Sequence, residues 1–278
     1  MNSRRDVLAG LAGAALPGWS VQAAEATAEP TAEPIAELNL HDPATNLRAF
    51  IKLRGSLCSE PVFDLVRGRV YGLVGGQAAR PLFKTVGAQR SIYTRRSAFE
   101  YSAVTRYIGL LLDWQTEQPL ARWTNPYNGK DCPVPVTRYG PSEVRFLGDR
   151  MVPASLAPDP AQPGTRPWFV LGSVVHMREQ ILMPAPEMPL FPKADLMTFS
   201  GELRQLADPN LDTMPSRLSF TAVETWRPWM RMDAQAQAGT LWWQVAGVKL
   251  EGPGAYSPVL REQLQAVDPT FFDIESDA

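Results

Sequence analysis

Pro61-Val62-Phe63-Asp64-Leu65-Val66-Arg67-Gly68-Arg69-Val70-Tyr71-Gly72-Leu73-Val74 decides the fold class. The run is rich in β-branched and aromatic residues and stops at Gly75-Gly76, which is the composition and punctuation of a long strand. Gly68 and Gly72 mark bends or bulges within it. Similar runs follow at 80–85, 90–95 and 99–114, with Gly87-Ala88 read as a turn. Further strands are expected at 168–176, 219–224 and 240–249. Helical stretches are few: Ser257 to Ala266, ahead of Asp268-Pro269, and a short piece near Pro228 to Met232. Many strands, short turns and few crossover helices argue against a parallel α/β sheet. They predict a mainly β domain: an antiparallel closed or nearly closed barrel of lipocalin or calycin type, because closure removes exposed edges.

Working outward from the strands, the N-terminus has a different character. Arg4-Arg5 precedes a soft apolar stretch from Val7 to Trp19, and small-residue cleavage patterns follow at Val21-Gln22-Ala23 and Gln22-Ala23-Ala24. Charge, apolar run and cleavage site in that order read as a twin-arginine export signal over residues 1–24. That places the mature protein in the periplasm. The apolar run is too short to cross a bilayer, which takes about 20 apolar residues. No other segment is apolar enough, so no membrane contact is expected once the signal is removed. Residues 25–46 contain Thr-Ala-Glu-Pro twice and read as a disordered Pro/Glu-rich tether. Residues 47–278 are expected to form a single β-barrel-like domain. Two proline-rich segments inside it, 151–164 and 184–192, read as surface loops that either cover a barrel mouth or serve as stiff connections.

The formal charge of the 278-residue chain is −2, without a basic block, which argues against nucleic acid as a partner. Cys58 and Cys132 are the two cysteines. An oxidising compartment permits a disulfide between them, but a protein that folds before export cannot depend on one. Two cysteines and two histidines make no metal-ligand spacing. The chain lacks a Gly-x-Ser-x-Gly elbow, a phosphate-cradling loop and a dinucleotide fingerprint. No metal and no cofactor are therefore expected.

One block carries a family resemblance. Leu112-Asp113-Trp114-Gln115-Thr116-Glu117 ends a strand, and Arg122-Trp123-Thr124-Asn125-Pro126-Tyr127-Asn128-Gly129-Lys130 follows. The physical reading is a turn at Gln115 to Gln118 and a second, tight turn at Asn125 to Gly129, where proline fixes φ and Asn and Gly tolerate left-handed backbone. The block resembles the bacterial and fungal family catalogued as domain of unknown function 1838. Here Asn128 stands where threonine is usual, and Gln115 to Gln118 lacks the family's glycine. Lys52-Leu53-Arg54-Gly55-Ser56, Glu224-Thr225-Trp226-Arg227-Pro228-Trp229-Met230 and Gly247-Val248-Lys249 extend the resemblance over most of residues 47–272. It implies a family and no mechanism.

Candidate catalytic residues are single carboxylates in apolar strands and one histidine. Asp113 alternates with Tyr107, Gly109 and Leu111 on one strand face. It is either a desolvated acid or base or the cap of its own turn. Glu100 and Glu224 could act as a carboxylate pair if they face one cavity. His176 ends an apolar strand, as a proton carrier or as a hydrogen-bonded structural group. Tyr71, Trp123, Trp226 and Trp229 are aromatic candidates for ligand stacking, although such sets also serve as core packing. Arg54 and Asn125 would orient a polar ligand group. Trp242 and Trp243 are adjacent and so point to opposite faces of a strand. The function expected is binding of one small apolar or aromatic molecule in a barrel cavity. The alternative is a lyase, isomerase or hydratase that works by carboxylate acid/base chemistry without metal or nicotinamide.

Overall fold

A computed structural model describes residues 38–154, 164–183, 193–232 and 239–273. The signal, most of the tether and much of the two proline-rich segments lie outside these residues. In chain order the described elements are α1 (Pro43–Arg54), β1 (Pro61–Leu73), β2 (Arg80–Arg95), β3 (Glu100–Leu112), β4 (Arg122–Thr124), β5 (Asp131–Pro133), β6 (Thr137–Leu147), β7 (Arg150–Pro153), β8 (Trp168–Leu171), β9 (Val174–Met183), β10 (Lys193–Glu202), α2 (Leu203–Ala207), β11 (Arg217–Thr225), β12 (Thr240–Leu250) and α3 (Pro258–Val267).

Ten strands form one antiparallel sheet in the order β7-β6-β3-β2-β1-β12-β11-β10-β9-β8, and β4–β5 make a separate hairpin. The sheet curls into a half-barrel. Among the described residues the barrel, expected to be closed or nearly closed, is not closed: β7 and β8 stand at the two edges. Each edge strand is only four residues long, one of the ways native sheets limit edge-to-edge pairing without closing.

Two turn assignments change. β2 runs unbroken through Gly87, which the sequence presented as a turn. A Cβ on Gly87 would lie 2.5 Å from the Tyr107 hydroxyl of β3, so glycine here makes room for a side chain. Conversely, the strand expected at 168–176 breaks into the β8–β9 hairpin at Gly172, whose φ is 61°. Helix α1 adds an element to those expected from the sequence. Asp42 caps it by accepting from the Thr45 amide at 2.8 Å, and Pro43 opens its first turn, where a missing N–H costs nothing. Folded structure thus reaches into the stretch expected as tether: Leu38 and Leu40 pack on the core, and buried Asn46 donates to the carbonyls of Leu40 and Arg166.

Helix α1 identifies the concave face. Its Phe50 meets Phe146 of β6 at 5.4 Å and Phe199 of β10 at 6.5 Å, and these strands stand on opposite halves of the sheet. The helix therefore lies inside the curl and plugs one end, with Leu47, Ile51 and Leu53 buried over Val62, Tyr93 and Met177. The other end is filled by Trp226, Met230 and the β4–β5 hairpin against Val70, Phe83 and Leu241. On the convex face, Leu260 and Leu264 of α3 pack with Tyr256 and Phe271 over Phe63, Ala88 and Ile108. Each such buried leucine contributes about 2 kcal/mol.

Candidate functional site

Strand alternation places Val62, Asp64, Val66 and Val70 on the concave face of β1, with Gly68 between the valines. The register then carries a polar row across the sheet: Tyr139 of β6, Tyr107 of β3, Gln89 of β2, Asp64 of β1 and Lys249 of β12. Val62 and Val70, under the two plugs, are buried. Asp64, Val66, Gln89, Tyr107 and Lys249 between them are only half-buried, and Tyr139 is 46% exposed. The middle of the concave face is therefore a hollow open to water and flanked by two apolar ends.

Glycines form part of its floor. Tyr107 lies flat over Gly87 and Gly109, where added Cβ atoms would come within 2.5 and 2.8 Å of it. Tyr139 stacks on Tyr107 with ring centroids 4.9 Å apart and an interplanar angle of 17°. Arg54 enters from the last turn of α1. Its Nη1 donates to Glu179 at 3.1 Å, and it hydrogen-bonds Tyr93. Its guanidinium sits 5.3–5.7 Å from the rings of Phe50, Phe146 and Phe199, close enough for cation–π attraction. Lys249 fastens the helix to the sheet: its Nζ donates to the carbonyls of Lys52 at 3.0 Å and Gly55 at 2.9 Å, and to Thr213 Oγ1 at 3.0 Å. Burial pulls this ammonium down to about 7. The acceptors at the helix C-terminus work in the opposite sense, favouring the charged form.

Asp64 differs from the other carboxylates discussed here. Its side chain receives no hydrogen bond from any described residue. Crowding by protein pushes it up to about 6, against the opposing pull of Lys249 and Arg54. The hydroxyls of Tyr107 and Tyr139 also lack hydrogen-bond partners among the described residues, and burial raises Tyr107. The hollow thus presents one carboxylate acceptor, two phenolic donors and a stacked aromatic face, all available to a bound molecule.

The residues singled out in the sequence mostly lie elsewhere. Only Arg54 belongs to the hollow's wall. Asp113 caps its turn, with Oδ1 accepting from the amides of Gln115 at 3.0 Å and Thr116 at 2.7 Å, and these bonds hold its carboxyl below the usual range. Glu100 pairs with Arg145 at 3.3 Å. Glu224, 2% exposed, is occupied by Arg227 and by the Trp243 indole at 2.7 Å. The three carboxylates do not converge on one cavity. Asn125 is fully buried in its turn, donating to Met230 O at 2.7 Å and accepting from the Tyr127 amide. Trp123 and Trp229 pack on Phe83, and Trp226 packs on Tyr127; all three build the apolar end. Tyr71 sits between Trp114 and Trp242, on the opposite face from Trp243.

His176 lies on the convex face, stacked on Phe169 with Nδ1 2.8 Å from Ser200 Oγ. It lines a groove of about 820 Å³ with Arg217 and Leu65. There the histidine and serine satisfy each other, whereas the concave hollow holds groups with no partner among the described residues, which makes the hollow the candidate site. Among the described residues no three His, Cys, Asp or Glu side chains are placed to hold a metal ion. Cys58 is exposed and Cys132 is buried, and both are free thiols.

An open antiparallel half-barrel, plugged at both ends and polar in the middle, is the class that this fold and hollow define. The family described as "Protein of unknown function (DUF1838)" matches residues 60–277, and the chain belongs to it. No curated protein and no solved structure matches the chain.

Proposed function

We propose that the half-barrel binds one small molecule in its concave hollow. An aromatic or flat apolar body lies against Tyr107 and Tyr139, and a polar group faces Asp64. The observation that carries this reading is the set of three polar side chains on one concave row without partners among the described residues. Polar groups that converge in a recess without partners on the chain are what a ligand site requires. The leader motif, Arg4-Arg5 before the apolar stretch 7–19, supports a periplasmic setting reached by the twin-arginine route.

Native mass spectrometry of the protein purified from its own periplasm tests this. The wild type is expected to carry a small-molecule adduct, and Val66→Phe, which fills the hollow, is expected to lack it. Equal occupancy in both proteins, or no adduct in either together with no thermal shift from any of a set of flat aromatic probes, would refute the reading.

A further inference from the structure

We propose that the hollow is a proton-transfer site: Asp64 moves a proton between two carbons of a flat ketone whose oxygen is held by the Tyr107 and Tyr139 hydroxyls. This rests on the binding reading above and assigns a substrate class and a reaction to the same site.

Three placements support it. The Asp64 carboxylate is half-buried, free of hydrogen bonds from the described residues, and set on a central strand. The Tyr107 hydroxyl hangs over Gly87, which pairs with Val66, two residues along β1 from Asp64. Tyr139 is stacked on Tyr107 and lies within electrostatic reach of Asp64. With the Tyr107 hydroxyl two residues along the strand from the acid, the arrangement suits a β,γ-unsaturated ketone: the acid near the carbons, the donors near the oxygen.

The chemistry balances without a cofactor. The substrate is a β,γ-unsaturated ketone, and Asp64 takes a proton from its α-carbon, between the carbonyl and the C=C bond. The C–H electron pair becomes the C=C bond of a dienolate, and the carbonyl oxygen gains the charge. Tyr107 and Tyr139 stabilise that oxygen by donation, which strengthens as charge develops. Asp64 then returns the proton to the γ-carbon, the electron pair restores C=O, and the double bond has moved. Nothing is oxidised or reduced. Burial sets Asp64 at about 6, which leaves it ionised yet basic at neutral pH, as a general base requires. The charged and titratable groups around it are Lys249 from β12, Arg54 from α1, Tyr93 from β2, Tyr139 from β6 and Tyr256 ahead of α3.

The test uses the full chain and 2-tetralone, a flat aromatic ketone with acidic α-protons, followed by NMR for deuterium exchange in D₂O. Wild type is expected to exchange about 100-fold faster than Asp64→Asn, with a rate that rises as pH passes about 6. Tyr107→Phe is expected to lose about 100-fold, and Asp113→Asn to exchange at the wild-type rate. Circular dichroism checks that each variant is folded. If 2-tetralone quenches tryptophan fluorescence but Asp64→Asn exchanges as fast as wild type, the chemistry is overturned and the binding reading stands. If 2-tetralone does not bind, the ketone class is overturned, and the native mass-spectrometric adduct decides the binding reading separately.

Discussion

Asp64 stands between Phe63 and Leu65, so its neighbours in the chain give no hint of a charged environment. Its carboxyl is pushed up to about 6 by burial, and the sign of the consequence follows from linkage. Between about pH 4 and 6 the folded state holds a proton that the unfolded state has released, so this group makes stability fall as pH rises through that window. Above it the ionised side chain carries a cost of about 3 kcal/mol. Asp64→Asn removes that cost. The variant is expected to melt several degrees above wild type at pH 7, with the difference closing by about pH 4, where both proteins are uncharged at this position. Calorimetric scans at the two pH values measure it, and an Asp64→Asn protein that melts lower at pH 7 would show the carboxylate to be a structural ion-pair partner. Glu224 illustrates the opposite arrangement: it is more deeply buried than Asp64, but Arg227 and Trp243 saturate it.

Among the elements, the strands were legible because alternation and β-branched content report local backbone preference. Strand β1, the Asn125 to Gly129 turn and helix α3 all lie where the residues pointed. The failures have physical causes. Gly87 looked like a turn because its true role, leaving space beneath Tyr107, depends on register with another strand. Helix α1 follows a Pro/Glu-rich stretch whose composition masks its start signal, Asp42 as cap and Pro43 in the first turn. The candidate site was largely illegible. Asp64 and Lys249 become neighbours only through the β1–β12 pairing, which closes the middle of the sheet over most of the chain. That pairing also lets Lys249 hold α1. Lys249→Met removes three donors and leaves the Lys52 and Gly55 carbonyls at the helix C-terminus short of partners, at a cost of about 1–3 kcal/mol. A lower urea midpoint is expected, with faster amide exchange concentrated at residues 52–57. Uniform loss of protection throughout the sheet would mean that Lys249 acts in the general core and does not fasten the helix.

At the scale of the whole molecule, the sheet need not close because its concave face is filled from both ends. The part left over is the hollow, and this division predicts opposite responses to one substitution made twice in a single strand. Val62 is 7% exposed and lies under α1 with Tyr93 and Phe146 nearby. A phenylalanine there must displace packed neighbours, so Val62→Phe should destabilise by about 1–3 kcal/mol. Val66 is four residues on, on the same face but between the plugs, and half-buried. Val66→Phe adds apolar surface at a half-buried position that no plug covers, so it should be neutral or stabilising by about 1 kcal/mol. Urea denaturation of both variants measures the contrast. A hollow that exists only as a shallow dip in a continuous core would make the two substitutions equally harmful, because packed interiors resist added volume wherever it is placed. Retained stability in Val66→Phe, together with loss of the small-molecule adduct, would locate the hollow and the ligand in the same volume by two independent measurements.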